Sequence, residues 1–476
     1  MKRSIKGRGI IGVIIMLILG AGLIIICPDD LSQIHFDAYV VNAICLWMSM
    51  LLLMRLYAKN DLDIFEPMTI ISAMYIVMYF VTPIYDICVG EFWWFGYELF
   101  RYSVEATLIG FAGFVAFYIF STCYINSKRK NKRYSLISQK ETMRTDDEKQ
   151  GVAYIPLILA IYAFCFAANV FYLSRFDGNS LLYMLTLGIL GDGGFDETTQ
   201  SPIGFLSMFS YSLPAATLLY WEYGKSKVLK IGLFVPMVML QVVRGFRFFV
   251  LQIAITFFVY YFLKKGKRPK LASIAAVLAA VMVPVVIMTM FRSSLRTGLG
   301  MDLSSISLNT IRDALEETIW SNFRIYQNFY GMVGVIPSQF EYVGLRQILW
   351  GTLFMVIPRI IWPGKLSSYG GYNLMTLIGK NIAAGQAYPN LGEYYYAFGA
   401  IGVIVFMGLY GIWMKYIRDK FMYSKNGLDI ITFAILLGTN LQIIIRGYTP
   451  SNFWYVVFAV IPVWIIRRFG YKEVRK

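Results

Sequence analysis

Twelve predominantly apolar runs, fifteen to twenty-three residues long, constrain this chain more than anything else in it. They lie at 9–27, 37–57, 67–89, 103–125, 152–173, 203–221, 229–243, 248–263, 271–291, 399–417, 428–445 and 453–468. A hydrocarbon core about 30 Å thick is crossed by roughly 20 apolar residues in an α-helix, and a helix satisfies its own backbone polar groups there. The chain is therefore expected to be an all-α polytopic membrane protein with about twelve transmembrane helices. Its mean hydropathy of +0.58 agrees, as does a composition of 58% hydrophobic and only 15% charged residues. Three parts follow: helices one to nine in 1–291, a large outer loop at 292–398, and helices ten to twelve in 399–476. The seventh, eighth and twelfth runs are short, so the pair around "VVRGFRFF" is open to two readings, two full helices or one re-entrant hairpin. The first run follows "MKRSIKGR" and no A-x-A-like site closes it, which reads as a retained span and not a cleaved signal.

The charges fix an orientation. A net charge of +16 would point to nucleic acid in a soluble protein, but here the basic residues sit in short loops between runs, where they set topology. With both termini cytoplasmic, 31 of the 44 lysines and arginines fall inside, including the solvated loop 126–150. Reversing the chain would invert that asymmetry. The 13 outer basic residues differ in kind: all are arginine except Lys365 and Lys380, whereas the inside holds 20 lysines and 11 arginines. Topology needs no outer arginine. A guanidinium offers a rigid fork of donors that matches phosphate and carboxylate, which an ammonium does not, so the outer face is expected to hold an anion.

Within the outer loop, "NTIRDALEETIWSNFRIYQNFYGMV" has helical periodicity. Ile311, Leu315, Ile319, Phe323 and Tyr326 fall on one face, Asn309 is placed to cap the start, and Arg312 and Glu316 pair at i, i+4. "LRQILWGTLFMVI" (345–357) is apolar nearly all round but too short to span, which suits a re-entrant helix or one buried against the spans. It delivers Arg359 back to the membrane surface in a turn stiffened by Pro358 and Pro363. Taken alone, Arg359 is also explained by snorkelling to lipid phosphate. Others join it: Arg244 and Arg247 are three apart, Arg292 and Arg296 four apart, and Arg446 ends the eleventh span, all at predicted outer ends. Charge at a membrane edge is costly and marks a functional site, and five or more guanidiniums at one depth suit a diphosphate.

Among carboxylates, Glu393 in "LGEYY" is the first candidate for a general base, with capping or ion pairing at the start of the tenth span as the competing reading. Glu316 and Glu317 are partly explained by pairing with Arg312. Asp29 and Asp30 in "CPDD" read chiefly as a solvated loop, "GDGGFDETTQ" matches no cation loop, and His35 reads as ordinary. The five cysteines lie in or beside apolar runs with neither a CxxC nor a histidine partner, so no metal site or disulfide framework is expected. Aromatic stretches such as 90–100 and 388–398 suit interfacial belts, and equally sugar stacking.

An outer "RGFR" (244–247), then a long outer loop with "IPRIIWPGK", then "YPNLGEYYYAFGAIGVIVFMGLYG" entering the next span: in this order of features the chain resembles the bacterial O-antigen and oligosaccharide repeat-unit polymerases, the Wzy group. The resemblance implies a GT-C-like helical fold and a cofactor-free, metal-independent, inverting transfer in the plasma (inner) membrane. A growing glycan would leave its undecaprenyl diphosphate and join a new lipid-linked repeat unit at the outer face, for O-antigen, capsule or exopolysaccharide synthesis. It implies diphosphate contact by Arg244, Arg247 and Arg359 and a polar role for Glu393; the charge pattern adds Arg292, Arg296, Lys365 and Arg446 to the expected anion site. It also implies a chain-length regulator as partner, beside membrane lipid and no nucleic acid. A glycan ligase using the same donor shares this arginine logic. A lipid-linked oligosaccharide flippase or polysaccharide transporter would favour two similar halves around a central charged cavity, and here the functional-looking arginines sit on one face.

Overall fold

The computed structural model describes residues 2–58, 63–94, 97–122, 154–174, 204–243, 247–296, 307–358, 360–362, 388–422, 424 and 426–469. Helices dominate, as an apolar solvent demands: α1 (Lys2–Ile26), α2 (Gln33–Ala58), α3 (Pro67–Ile76), α4 (Thr82–Val89), α5 (Ser103–Thr122), α6 (Ile155–Leu173), α7 (Leu213–Tyr223), α8 (Lys227–Val243), α9 (Arg247–Lys264), α10 (Leu271–Arg296), α11 (Leu308–Phe323), α12 (Tyr326–Val335), α13 (Arg346–Met355), α14 (Asn390–Ile417), α15 (Gly427–Ile445) and α16 (Thr449–Phe469). Among the described residues the one ladder is a two-residue antiparallel pairing of Trp93–Trp94 with Tyr97–Glu98. Among the described residues, seven stretches are long and apolar enough to cross a membrane: Gln33–Ala58, Pro67–Val89, Leu99–Thr122, Ile155–Leu173, Asn390–Met422, Gly427–Ile445 and Thr449–Phe469. Shorter apolar helical stretches at Ile10–Ile26, Phe249–Lys264 and Ala272–Val283 lie on the first, eighth and ninth predicted runs. The sixth run is not a uniform helix, because it opens as the 3-10 turn Gly204–Ser212 and becomes α-helical only at Leu213.

α14 lies along α5, and small residues set how closely. A Cβ added to Gly113 on α5 would stand 2.7 Å from the Val403 side chain, and one on Gly411 of α14 would stand 2.7 Å from the Phe117 carbonyl oxygen. Without a hydrophobic drive between helices in lipid, such close backbone approach is what lets dispersion hold them. α15 packs against α9, α14 and α16 and is buried on every side from Ile431 to Ile445, which its sequence, apolar all round, permits.

Two local irregularities position the site. A π turn at Val77–Val81 joins α3 to α4, where Pro83 has no N–H to offer and the Thr82 hydroxyl donates instead to the Val77 carbonyl at 2.8 Å. One extra residue in a turn rotates everything beyond it by about 100°, and beyond it lies Asp86. In α14, Phe398 and Gly399 leave helical geometry, with Gly399 at φ +64°, a conformation that favours glycine. The break frees the carbonyls of Tyr396 and Ala397, which accept from the N–H groups of Val343 (3.0 Å) and Gly344 (3.1 Å). The helix bearing the tenth predicted run thus starts at Asn390, ahead of residue 399.

The outer-loop expectations need two corrections. Ser307, not Asn309, caps α11: its backbone is extended and its hydroxyl oxygen accepts from the Thr310 N–H at 3.1 Å, whereas Asn309 already lies within the first turn. The amphipathic helix also stops at Phe323, and Tyr326 opens a separate helix, α12, in which it is fully buried. The expected Arg312–Glu316 pair is present at 3.1 Å. α13, ten residues long, rests on α16, with the Trp454 indole donating to the Thr352 carbonyl at 2.7 Å. Its other side leaves Leu349, Trp350 and Leu353 exposed.

Replacement of Gly411 by valine should therefore wedge α14 from α5. We expect a loss of about 1–3 kcal/mol from overpacking, seen as a lower unfolding temperature of the detergent-solubilised protein, while a substitution at Gly232, where a Cβ meets nothing within 4 Å, leaves it unchanged.

Candidate functional site

The site grows from the turn between α15 and α16. α15 ends at Arg446, whose N–H still reaches the Gln442 carbonyl at 2.7 Å. Next comes Gly447, where a Cβ would stand 2.3 Å from backbone atoms of Asn390, so only glycine lets this turn touch the start of α14. The Gly447 N–H donates to the Tyr388 carbonyl at 2.8 Å. Pro450 follows in the first turn of α16, where a missing N–H costs nothing.

Glu393 locks this contact. It sits in the first turn of α14 and is 1% exposed. Its two carboxylate oxygens accept from the Thr449 backbone N–H at 3.0 and 2.9 Å, and Oε2 also accepts from the Thr449 hydroxyl at 2.5 Å. Thr449 is the first residue of α16, so the carboxylate lies against that helix's positive end, where negative charge is favoured. Glu393 therefore caps α16, not its own helix. On the other side of the turn the Asn452 amide donates to the Arg446 carbonyl at 2.5 Å. Arg446 is half-buried and is held from both flanks.

Beneath the turn lies a layer of neutral polar side chains inside the apolar spans. The Tyr455 hydroxyl donates to Gln252 Oε1, and the Gln252 amide donates to Gln442 Oε1 at 3.4 Å. Tyr455 and Gln252, with Gln241, Thr256 and Thr439, line a cavity of about 20 Å³, enough for about one water. Gln442 is one turn below Arg446, and Gln252 is five residues into α9, the helix that begins at Arg247. Sequence reasoning passed over these amides. Their signal was present, since uncharged polar residues amid long apolar runs mark intramembrane sites too.

A second cluster ties the outer-loop helices to the spans. Asp86, fully buried near the end of α4, receives Arg324 through Nε at 3.0 Å and Nη2 at 2.9 Å on Oδ1, and the Tyr326 hydroxyl at 2.7 Å on Oδ2. Burial and then the neighbouring carboxylate hold the Tyr326 phenol well above its ordinary pKa, so it stays a donor. One turn along α12, the Tyr330 hydroxyl meets Thr107 at 2.7 Å and Asn42 at 3.4 Å. Asp86 was not singled out in the sequence, although a lone acid inside an apolar run carries a signal of its own.

Of the predicted site residues, the structure thus brings Glu393 and Arg446 to one turn. Arg244, Arg359 and Lys365 lie outside the described residues, and so do the side chains of Arg247, Arg292 and Arg296, whose backbones start α9 and end α10. Asp29 and Asp30 are exposed in the turn after α1. His35 opens α2, stacks on Phe92 at 3.8 Å and places Nε2 3.4 Å from the Glu98 carboxylate. Asp192 and Asp196 lie outside the described residues.

A family model described as O-antigen polysaccharide polymerase Wzy matches residues 9–474. The O-antigen polymerases of Salmonella typhimurium (strain LT2) and of Salmonella typhi are each 22% identical to this chain over 355 residues, covering 73% of this chain and 80% of theirs. No solved structure matches. An apolar helical chain matched over nearly its whole length in this way belongs to the O-antigen polysaccharide polymerase Wzy family.

Proposed function

We propose that the chain elongates a surface polysaccharide at the outer face of the bacterial inner membrane, moving the growing glycan from undecaprenyl diphosphate onto a new lipid-linked repeat unit. The observation that carries this reading is the family match over residues 9–474, and the held turn at Arg446 supplies a place for the chemistry. Twelve crossings with both termini inside suit the lysine and arginine asymmetry of the loops and put that turn outside. O-antigen, capsule and exopolysaccharide repeats are equally compatible with the site.

In this reading a hydroxyl of the incoming unit attacks the anomeric carbon of the growing chain from the side opposite the phosphate, inverting its configuration. The new C–O bond forms as the C–O bond to the diphosphate breaks, undecaprenyl diphosphate leaves carrying the electron pair, and the hydroxyl proton passes to the departing diphosphate or to water. Negative charge rises on that phosphate, and guanidiniums fixed beforehand in a water-poor site stabilise it without reorganising. Arg446 is the described member of this set, and Arg244, Arg247, Arg292, Arg296, Arg359 and Lys365 are its proposed companions. No metal or cofactor enters the proposed step, and the fold is taken as GT-C-like. Holding two lipid-anchored substrates in line contributes much of the remaining acceleration. A chain-length regulator in the same membrane completes the proposed system.

Glu393 is assigned here to positioning. Among the described residues its carboxylate bonds go to Thr449, and what they fix is the turn that carries Arg446.

The test is the length ladder of surface polysaccharide on a gel, in cells lacking the gene and restored with wild type or variants. Wild type should restore long chains. Arg446→Gln and Arg359→Ala should leave one repeat unit, with elongation down about 100-fold and normal membrane insertion. Surface glycan missing altogether, with lipid-linked repeats accumulating inside, would instead favour transport or ligation. Glu393→Gln keeps an oxygen for the Thr449 N–H, so it should retain elongation within about tenfold, whereas Glu393→Leu should lose it. A well-inserted but inactive Gln variant would return Glu393 to proton transfer.

A further inference from the structure

Arg324 is presented in a manner that an internal ion pair does not require. Its partner Asp86 is fully buried, yet the Arg324 side chain is 32% exposed. A guanidinium carries five N–H donors in one plane. Two of them, on Nε and Nη2, face Asp86, and among the described residues the side chain makes no further hydrogen bond, which leaves three donors on the outward edge. The Tyr326 hydroxyl holds the other carboxylate oxygen, so Asp86 cannot swing to follow. One turn before Arg324, Trp320 stacks on Tyr85, the neighbour of Asp86, at 4.1 Å and 7°, and both rings are half-buried. A fixed fork of donors beside half-buried aromatic surface is what a phosphate joined to a sugar would be recognised by.

Its place relative to Arg446 gives it a separate use. In an α-helix, residues two apart point about 200° apart. On α14, Leu391 and Tyr395 therefore share one face and Glu393 the opposite one. Phe329 of α12 packs on the first face, with its ring 6.1 Å from Tyr395, and α12 is continuous with the Tyr326–Asp86–Arg324 cluster. Glu393 on the second face holds the Arg446 turn. The helix that follows Arg324 and the turn that carries Arg446 are thus anchored on opposite faces of the first turns of α14, and a helix with its side chains is about 10 Å across.

We propose that Arg324, oriented by Asp86 and Tyr326, forms a second anion site, which receives the diphosphate of one lipid-linked substrate while the Arg446 side receives that of the other. This rests on the polymerase reading, in which two diphosphate-linked substrates must be held at once.

The experiment is the stoichiometry of undecaprenyl diphosphate bound to the full-length protein in nanodiscs, by native mass spectrometry and by titration, together with the elongation ladder. Wild type should bind two equivalents. Arg324→Gln should bind one and elongate at least tenfold more slowly. Arg324→Lys keeps the pairing charge for Asp86 but lacks the planar fork, and should also bind one, so it decides the matter where the Gln variant does not fold. Two equivalents retained by a folded Arg324 variant, or one equivalent in a wild type that elongates normally, overturns the second site and leaves the polymerase reading intact. A wild type that neither binds the lipid diphosphate nor elongates removes both.

Discussion

The structure depends on one constraint: in hydrocarbon, a polar group is satisfied by another part of the chain or it is not satisfied at all. For the backbone this means helices. For the buried acids it means specific partners, and the solutions chosen at Asp86 and Glu393 organise one end of the bundle. Asp86 draws Arg324 and Tyr326 onto the end of α4 and so docks the outer-loop helices. Glu393 takes the first N–H of α16 and so binds the start of α14 to the α15–α16 turn. Remove either carboxylate and a loop or a turn loses its place before any span does.

The spans were legible in the sequence because their signal is local. Twenty apolar residues in a row require nothing from the rest of the chain, and the runs 37–57, 67–89, 152–173 and 428–445 all became membrane-length helices. The i, i+4 pair of Arg312 and Glu316 was legible for the same reason. Boundaries were less so: Ser307 and Asn309 are both good caps, and the choice between them rests on which residue keeps an extended backbone. The break between α11 and α12 was hidden because Phe323 and Tyr326 keep the apolar period across it.

The candidate site was legible in residue type but not in partnership. The arginines expected on the outer face stand out against lysine-rich loops, yet Glu393 finds Thr449 across 56 positions and Asp86 finds Arg324 across 238. No periodicity encodes such pairs. Glu393 consequently read as a base or as a cap for its own helix, when its lone pairs serve α16. The amide layer of Gln241, Gln252 and Gln442 went unread because each residue stands alone in its run and only the packing of α8, α9 and α15 makes them neighbours.

Why the acids are neutralised differently follows from what each must leave behind. A carboxylate satisfied by backbone N–H and hydroxyl, as Glu393 is, consumes no cation and fixes the turn that carries Arg446. A carboxylate satisfied by a guanidinium, as Asp86 is, removes most of the local net charge but fixes the plane of the fork. The first arrangement gives a turn its place, and the second gives an anion that meets the fork its orientation. An enzyme that must stabilise a departing diphosphate on one side and merely hold another in line has use for both, and α14 is the element that keeps them apart.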